Sequence, residues 1–225
     1  VYIDEDVRTD TYIVEEGLGN KILLIEKGMT IKDRFLITFL DNYKRVLNNV
    51  ETVVIAGSLP AGVYFDFVGT LADVAFFEDK QVIVNCKENI LNKIIGKRKF
   101  KIIKPDVRDT DKLFDLEYKN LENRLTLAKK VLGKGAEIFI LNYADFAYFI
   151  ANKQRCFQVL VKKNSVKNIK SMIGLEDGFL AGFIDGLGQA CALEEAAKKG
   201  LATAMANAQT INNYIDNKEA MEEQV

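Results

Sequence analysis

The sequence contains no histidine and only two prolines among its 225 residues. Without histidine, Ser-His-Asp and Cys-His catalysis are excluded, and so are zinc sites built on imidazole ligands. If the chain is an enzyme, its proton transfers fall to carboxylates or lysines. No Gly/Ser-rich or Pro-rich stretch interrupts the pattern, so we find no linker and predict a single globular domain.

An excess of charge of one sign is also lacking, since 31 basic residues face 32 acidic ones for a formal net charge of -1. This balance gives no electrostatic basis for binding nucleic acid or an anionic membrane. No apolar run approaches the ~20 residues that span a bilayer, and the N-terminus has no signal-peptide pattern. We therefore expect a cytoplasmic protein that binds neither nucleic acid nor membrane.

Cysteine is scarce, and the three cysteines are odd in number and far apart in the sequence. Cys86, Cys156 and Cys191 all lie in apolar surroundings. This usage is typical of reduced thiols in a folded interior, so we predict that all three are free and buried.

The periodicity of the apolar residues predicts an α/β fold. Two short strands at residues 11–15 and 21–26 form a hairpin, and alternating helices and apolar strands follow. The predicted helices are 31–48, 64–77, 88–95, 121–132, 177–187 and 193–208. The predicted strands are 52–56, 81–85, 101–104, 137–142, 147–151 and 155–161. Such alternation indicates a mostly parallel sheet with crossover helices.

Three motifs punctuate this pattern in a fixed order. They are Gly57-Ser58-Leu59-Pro60, Lys104-Pro105-Asp106 and the ten-residue segment that begins at Gly174 and includes Asp177. The first resembles the Gly-Ser-Leu-Pro segment of PfkB-type carbohydrate kinases, and the second resembles their Lys-Pro-Asn. The third is similar to their signature Gly-Ala-Gly-Asp-Ser-Phe. The best match is the branch of 1-phosphofructokinase and tagatose-6-phosphate kinase.

This resemblance implies a ribokinase-like three-layer sandwich with helices on both faces of the sheet. Residues 1–30 would form a small β lid and residues 31–225 the α/β core of one domain. The implied activity is phosphoryl transfer from ATP, with Mg²⁺, to a phosphorylated ketohexose such as fructose 1-phosphate or tagatose 6-phosphate. A homodimer through the lid is also implied.

The same resemblance assigns catalytic roles in the third motif. Asp177 would be the general base for the attacking sugar hydroxyl, and Gly174 would belong to an anion hole at a helix start. Helix-start amides carry a partial positive charge, which suits a developing phosphate oxyanion.

Two residues are implied for the sugar phosphate. Arg8 matches the arginine of the family's Thr-Arg-x-Asn lid segment, and a guanidinium offers paired donors to a phosphate. Ser58 would lie at the carboxyl end of a strand, where α/β proteins bind ligands. The alternatives are that Arg8 is a solvated side chain on a strand and that Gly57-Ser58-Leu59-Pro60 is an ordinary turn that ends a strand.

The resemblance implies that the nucleotide is bound by Lys104, Asp106 and Asp145. The family's Asn-x-x-Glu motif, associated with magnesium, appears here as Asp106-Val107-Arg108-Asp109, so Asp109 is the candidate metal ligand. The alternative is an acidic pair at a solvated helix start.

Three residues depart from the family pattern. Glu176 replaces the second glycine of the anion hole, and Tyr143 and Phe146 replace glycines of the nucleotide loop. Where the chain needs φ > 0 there, a non-glycine residue is strained. Relatives also carry about a further quarter of chain before the lid. Two alternatives to a working kinase therefore stay open: a pseudokinase that keeps the scaffold for binding or assembly, and a fragment.

Overall fold

The computed structural model describes residues 1–3, 6–14, 21–108, 110–162 and 167–211. The chain divides into two compact units. The first comprises Val1–Asp106 with Lys134–Ala136, and the second comprises Val107–Gly133 with Glu137–Val225. The division into a lid of residues 1–30 and a core of residues 31–225 stays a prediction.

The first unit begins with the predicted hairpin. Strands β1 (Asp10–Val14) and β2 (Lys21–Ile25) pair antiparallel and form a two-stranded sheet of their own. The predicted strands are confirmed to within a residue, except that residue 15 lies outside the described residues. Five apolar side chains of the hairpin are exposed: Ile13, Ile22, Leu23, Leu24 and Ile25.

The rest of the first unit alternates helices and parallel strands, as predicted. The elements are α1 (Asp33–Leu47), β3 (Thr52–Ala56), α2 (Phe67–Phe77), β4 (Gln81–Cys86), α3 (Glu88–Ile94) and β5 (Phe100–Pro105). Strand β4 pairs in parallel with both β3 and β5. The interior of β4 and most of β5 are buried, which is typical of parallel strands covered on both faces. Strand β3 lies at the edge of the sheet and is more exposed.

The second unit combines antiparallel strands with a pair of packed helices. Its elements are β6 (Lys112–Leu113), β7 (Leu116–Glu117), α4 (Leu121–Gly133), β8 (Ala136–Ala144), β9 (Ala147–Asn152), β10 (Cys156–Leu160), α5 (Leu175–Gly188) and α6 (Leu193–Ala208). Helices α5 and α6 approach closely because small residues line their contact. A Cβ at Gly186 would lie only 2.8 Å from the Cα atom of Ala196.

Six strands, β3, β4, β5, β8, β9 and β10, make up the mostly parallel central sheet. The predicted α/β fold class is therefore confirmed. The short β6–β7 hairpin was not predicted, because two-residue strands are too short to show a period. No helix within the described ranges is long and apolar enough to cross a membrane.

The three cysteines are free, as predicted, but they are not all buried. Cys86 is buried, Cys191 is partly buried and Cys156 is exposed. The prediction was wrong for Cys156 because β10 is an edge strand whose side chains alternate between exposed and half-buried positions.

Candidate functional site

In the first unit, candidate residues collect at the carboxyl ends of three neighbouring parallel strands. The register aligns Ala56 with Asn85 and Asn85 with Lys104. The backbone N–H of Gly57 donates to the carbonyl oxygen of Asn85 at 3.1 Å. Ser58 follows in the exposed loop, so the structure places it at a strand end as predicted.

Polar groups are buried at this edge. The side chain of Lys104 is fully buried, and its Nζ atom lies 3.5 Å from Oδ1 of Asn85. Asp106 is also buried, and its backbone N–H donates to the carbonyl oxygen of Cys86 at 3.0 Å. Burial, with a smaller contribution from the charge of Asp106, raises the pKa of the Cys86 thiol to about 12. Asn85 was not predicted as a site residue, although the sequence shows it as a polar residue at the end of a predicted apolar strand.

Arg8 lies just before β1 and is largely exposed. Its Nη2 atom is 3.0 Å from Oδ2 of Asp10, and 45% of its side chain is accessible. An exposed ion pair of this kind contributes little to stability. The guanidinium can therefore exchange Asp10 for another anion at small cost.

In the second unit, the start of α5 has the geometry of an anion site. Gly174 adopts the left-handed conformation with φ 75° at the N-cap position and, as a glycine, makes no side-chain capping hydrogen bond. The Gly174 carbonyl accepts the N–H of Gly178 at 2.8 Å. The amides of the first helical turn have no partner within the helix itself. They carry the positive end of the helix dipole and suit an anionic ligand.

Asn207, on α6, supports this helix start. It is buried, and its side-chain amide donates to the carbonyl oxygen of Ile173 at 2.8 Å. A Cβ at Gly174 would lie 3.2 Å from the amide nitrogen of Asn207. Asn207 was not predicted from the sequence. The sequence shows it as a single asparagine within an alanine-rich segment, and this was the available indication.

Two carboxylates occupy the first turn of α5. Asp177 is exposed and Glu176 is half-buried. The helix begins at Leu175, two residues earlier than predicted, because Gly174 reverses the chain in a conformation that other residues avoid.

The loop between β8 and β9 carries Asp145, which is exposed, and Phe146, while Tyr143 lies near the end of β8. Phe146 has φ 53° and its ring is fully buried. The predicted positive φ is thus present at a residue other than glycine. Tyr143 donates from its hydroxyl to Oε1 of Gln158 at 2.7 Å, and the Arg124 guanidinium lies 4.0 Å from its ring centre. Both aromatic rings are integrated into the packing of the second unit.

A metal position does not follow from the described residues. Asp109 lies outside them, and among those described no group of three or more acidic or cysteine side chains could hold a metal ion. The start of α5 does fit a nucleotide phosphate, through its uncapped helix amides. Arg8, Ser58, Lys104 and Asp106 belong to the first unit, while Asp145, Gly174 and Asp177 belong to the second.

Solved structures of sugar kinases share this fold. A possible 1-phosphofructokinase of Thermotoga maritima matches all of this chain over 70% of its own length, with 24% identity and a TM-score of 0.88. Phosphofructokinase-2 of Escherichia coli in complex with potassium matches 95% of the chain over 68% of its length, with 18% identity and a TM-score of 0.81. Arabidopsis thaliana ribokinase, complexed with ribose and ATP, matches 96% of this chain over 68% of its own length, with 12% identity and a TM-score of 0.68.

These identities establish the fold, and the sequence itself establishes the family. The sequence profile of the pfkB family carbohydrate kinases matches residues 1–220. The chain therefore belongs to the pfkB family of carbohydrate kinases.

Proposed function

We propose that the chain acts as an ATP-dependent sugar-phosphate kinase of the 1-phosphofructokinase and tagatose-6-phosphate kinase branch. Its acceptor would be a phosphorylated ketohexose such as fructose 1-phosphate or tagatose 6-phosphate. The observation that carries the proposal is the start of α5, where the N-cap residue Gly174 is left-handed and makes no side-chain cap, and Asp177 is exposed in the first turn.

The residues of α5 have distinct roles in this reaction. Asp177 accepts the proton of the sugar hydroxyl as the hydroxyl oxygen attacks the γ-phosphorus of ATP. The bond from the γ-phosphorus to the bridging oxygen breaks, and ADP leaves. Gly174 shapes the helix start whose amides stabilise the charge on the transferring group.

The first unit supplies the remaining proposed contacts. Arg8 binds the phosphate of the sugar phosphate, and Ser58 contacts the sugar. Lys104 and Asp106, with Asp145 of the second unit, contact the nucleotide. Mg²⁺ would accompany the nucleotide and screen its phosphate charges, with Asp109 as the proposed ligand.

Glu176 should weaken nucleotide binding. A carboxylate ~4 Å from a phosphate costs on the order of 4 kcal/mol at an effective dielectric of 20. We therefore expect weak binding by the parent chain. Removing the charge in Glu176→Gln should tighten binding by roughly tenfold or more.

Calorimetric titration with ATP, with and without Mg²⁺, tests this proposal. Glu195→Gln is the matched control, because it removes a carboxylate from the first turn of α6 in the same unit. It should leave nucleotide affinity unchanged. ADP release with each sugar phosphate then measures turnover, which Asp177→Asn should lower by about 10²-fold or more with little change in binding. If Glu176→Gln neither binds nucleotide nor releases ADP, the kinase proposal is wrong.

A second candidate function is a scaffold that binds a partner strand. A cavity of about 510 Å³ opens in the first unit between α1, α2 and the edge strand β3. Its lining is apolar apart from the Tyr43 hydroxyl and includes Phe39, Val54 and Phe67. Val54 is 46% exposed although its strand has the apolar sequence of a covered one. An extended apolar segment added to β3 would cover this face.

Charge placed on β3 tests the scaffold. Val54→Lys should reduce both binding of the dye ANS and concentration-dependent association, measured by light scattering. Val46→Lys is the control, because Val46 is exposed on α1 and does not line the cavity. Equal behaviour of the two variants would remove this candidate.

The exposed β1–β2 hairpin supports one further proposal, a homodimer through the lid. Ile22 and Leu24 are each about half exposed on β2. Replacing both with serine should convert a dimer to a monomer in sedimentation analysis, because their apolar area would no longer be buried on association.

A further inference from the structure

Tyr148, on β9, carries a buried hydroxyl that has no hydrogen-bond partner among the residues the structure describes. Its side chain is fully buried, and the hydroxyl makes no hydrogen bond within the described part of the chain. A buried polar group left unpaired destabilises the folded state, because it loses its hydrogen bonds to water. Phenylalanine would fill the same space without this cost, so the hydroxyl calls for an explanation.

The ring of Tyr148 lies against the start of α5. It stacks on Phe179 with centroids 3.6 Å apart and planes at 12°. Phe179 follows Glu176 by three residues, so their side chains lie on the same face of the helix, one turn apart. Helical side chains lean toward the N-terminus, which brings the Tyr148 ring and the first turn of α5 together.

The surroundings of Tyr148 keep its hydroxyl protonated. Burial, with the nearby charges of Glu176, Asp145 and Asp177, raises the pKa of this phenol well above its usual value. A protonated phenol is a hydrogen-bond donor, and a carboxylate only accepts. The group is therefore a donor beside three acceptors.

A second tyrosine near Glu176, Tyr118, already donates a hydrogen bond from its hydroxyl. The Tyr118 hydroxyl donates to the carbonyl oxygen of Thr110 at 2.6 Å. Burial and nearby charges that include Glu176 raise its pKa as well. Of these two phenols, Tyr148 alone has its hydrogen uncommitted within the described residues.

We propose that Tyr148 is a positioning residue for Glu176. When a nucleotide phosphate occupies the amides at the start of α5, the Tyr148 hydroxyl donates to the Glu176 carboxylate and holds it away from the phosphate. This proposal rests on the proposed kinase function. It explains how the site accommodates an anion although a carboxylate replaces a glycine there.

The test is a double-mutant cycle with Tyr148→Phe, Glu176→Gly and the combined variant. Ligand-observed NMR with ATP and Mg²⁺ measures affinities that are too weak for calorimetry. In the parent background, Tyr148→Phe should weaken ATP binding by about tenfold, since a hydrogen bond to a charged group is lost. In the Glu176→Gly background, the same change should alter affinity by less than about twofold.

A measurement without nucleotide completes the test. Because the Tyr148 hydroxyl has no hydrogen-bond partner among the described residues, Tyr148→Phe should not lower the thermal midpoint of the nucleotide-free protein. Tyr118→Phe, the matched control, should lower it, because that hydroxyl is hydrogen-bonded. A midpoint lowered equally by both variants overturns the proposal.

Three binding outcomes also overturn it. ATP affinity could fall equally in both backgrounds, or it could change in neither. In these two cases ATP still binds, so the kinase proposal stands and only the role of Tyr148 fails. If none of the four proteins binds ATP, both proposals are wrong.

Discussion

The side-chain amide of Asn207 holds the carbonyl oxygen of Ile173 at 2.8 Å, immediately before the left-handed Gly174. This bond ties α6 to the start of α5. The N-cap of α5 has no side-chain cap of its own, so the neighbouring helix fixes its geometry from outside. An anion site built from backbone amides depends on such support, because the amides must point in fixed directions before the ligand arrives.

Replacing Asn207 should therefore loosen the helix start. Asn207→Ala removes the donor from the half-buried Ile173 carbonyl, which should lower the free energy of unfolding by about 1 kcal/mol. Urea unfolding measures the loss. Asn92→Ala is the matched control, since the side-chain amide of Asn92 donates to Glu88 in an exposed bond, and it should change stability by less than about 0.5 kcal/mol. Equal losses in the two variants would contradict a special role for Asn207.

A side chain at Gly174 should be costly for two reasons. In Gly174→Ala, the new Cβ meets the Asn207 amide nitrogen at 3.2 Å, and alanine must adopt φ 75°. We expect a loss of about 1–2 kcal/mol. We also expect weaker nucleotide binding in calorimetry, because the amides of the helix start shift.

Gly188→Ala provides the comparison for that variant. Gly188 ends α5, and a Cβ there meets nothing within 4 Å. This change should leave stability unchanged or raise it by up to about 1 kcal/mol through better helix propensity. A Gly174→Ala protein as stable as Gly188→Ala would show that the left-handed N-cap is not required.

At Phe146, glycine should be a less destabilising replacement than alanine, which reverses the usual order of the two residues. Both substitutions remove a fully buried ring and should cost about 3–5 kcal/mol. Glycine is free of the steric penalty of about 1 kcal/mol or more at φ 53°. We therefore expect Phe146→Gly to unfold at a higher urea concentration than Phe146→Ala.

At Phe149 we expect the opposite order of stability, with the alanine variant more stable than the glycine variant. It is equally buried but lies in β9 without a positive φ, so alanine should be the more stable replacement there. If alanine is better at both positions, the backbone strain at Phe146 has no measurable energy.

The elements with strong periodicity were predictable, and the contacts between them were not. Residues 52–56 and 193–208 were predicted to the residue, because an uninterrupted apolar strand and an alanine-rich helical stripe have clear ends. The Asn207 bond to Ile173 joins residues 34 positions apart, and no local pattern reports such a partner.

The candidate site was predictable only where family motifs mark it. Ser58 and Gly174 were placed correctly at a strand end and a helix start. Tyr148 was missed, since a tyrosine in an apolar strand is indistinguishable from any core aromatic. Its stacking on Phe179, and a hydroxyl without a partner in the described part of the chain, emerge only once the chain is folded.

Alkaline pH should destabilise the first unit through Tyr43 and Cys86. Burial raises the pKa of the Tyr43 phenol to about 12, and its hydroxyl donates to the Leu71 carbonyl at 3.0 Å. The Cys86 thiol also has its pKa raised to about 12. Both groups bind protons more tightly in the folded chain than in the unfolded one. Their contribution is therefore complete below the unfolded-state pKa and is lost as pH rises toward the folded-state pKa.

The free energy of unfolding should consequently fall between about pH 9 and pH 12, by up to about 1.4 kcal/mol per pH unit for each group. Urea unfolding at successive pH values measures this slope. Tyr43→Phe and Cys86→Ala should each make it shallower, because each removes one proton whose release favours unfolding. Cys156→Ala is the matched control and should leave the slope unchanged, because its thiol is exposed and is solvated in both states. Parent and Cys86→Ala proteins with identical slopes would show that the buried thiol does not govern alkaline unfolding.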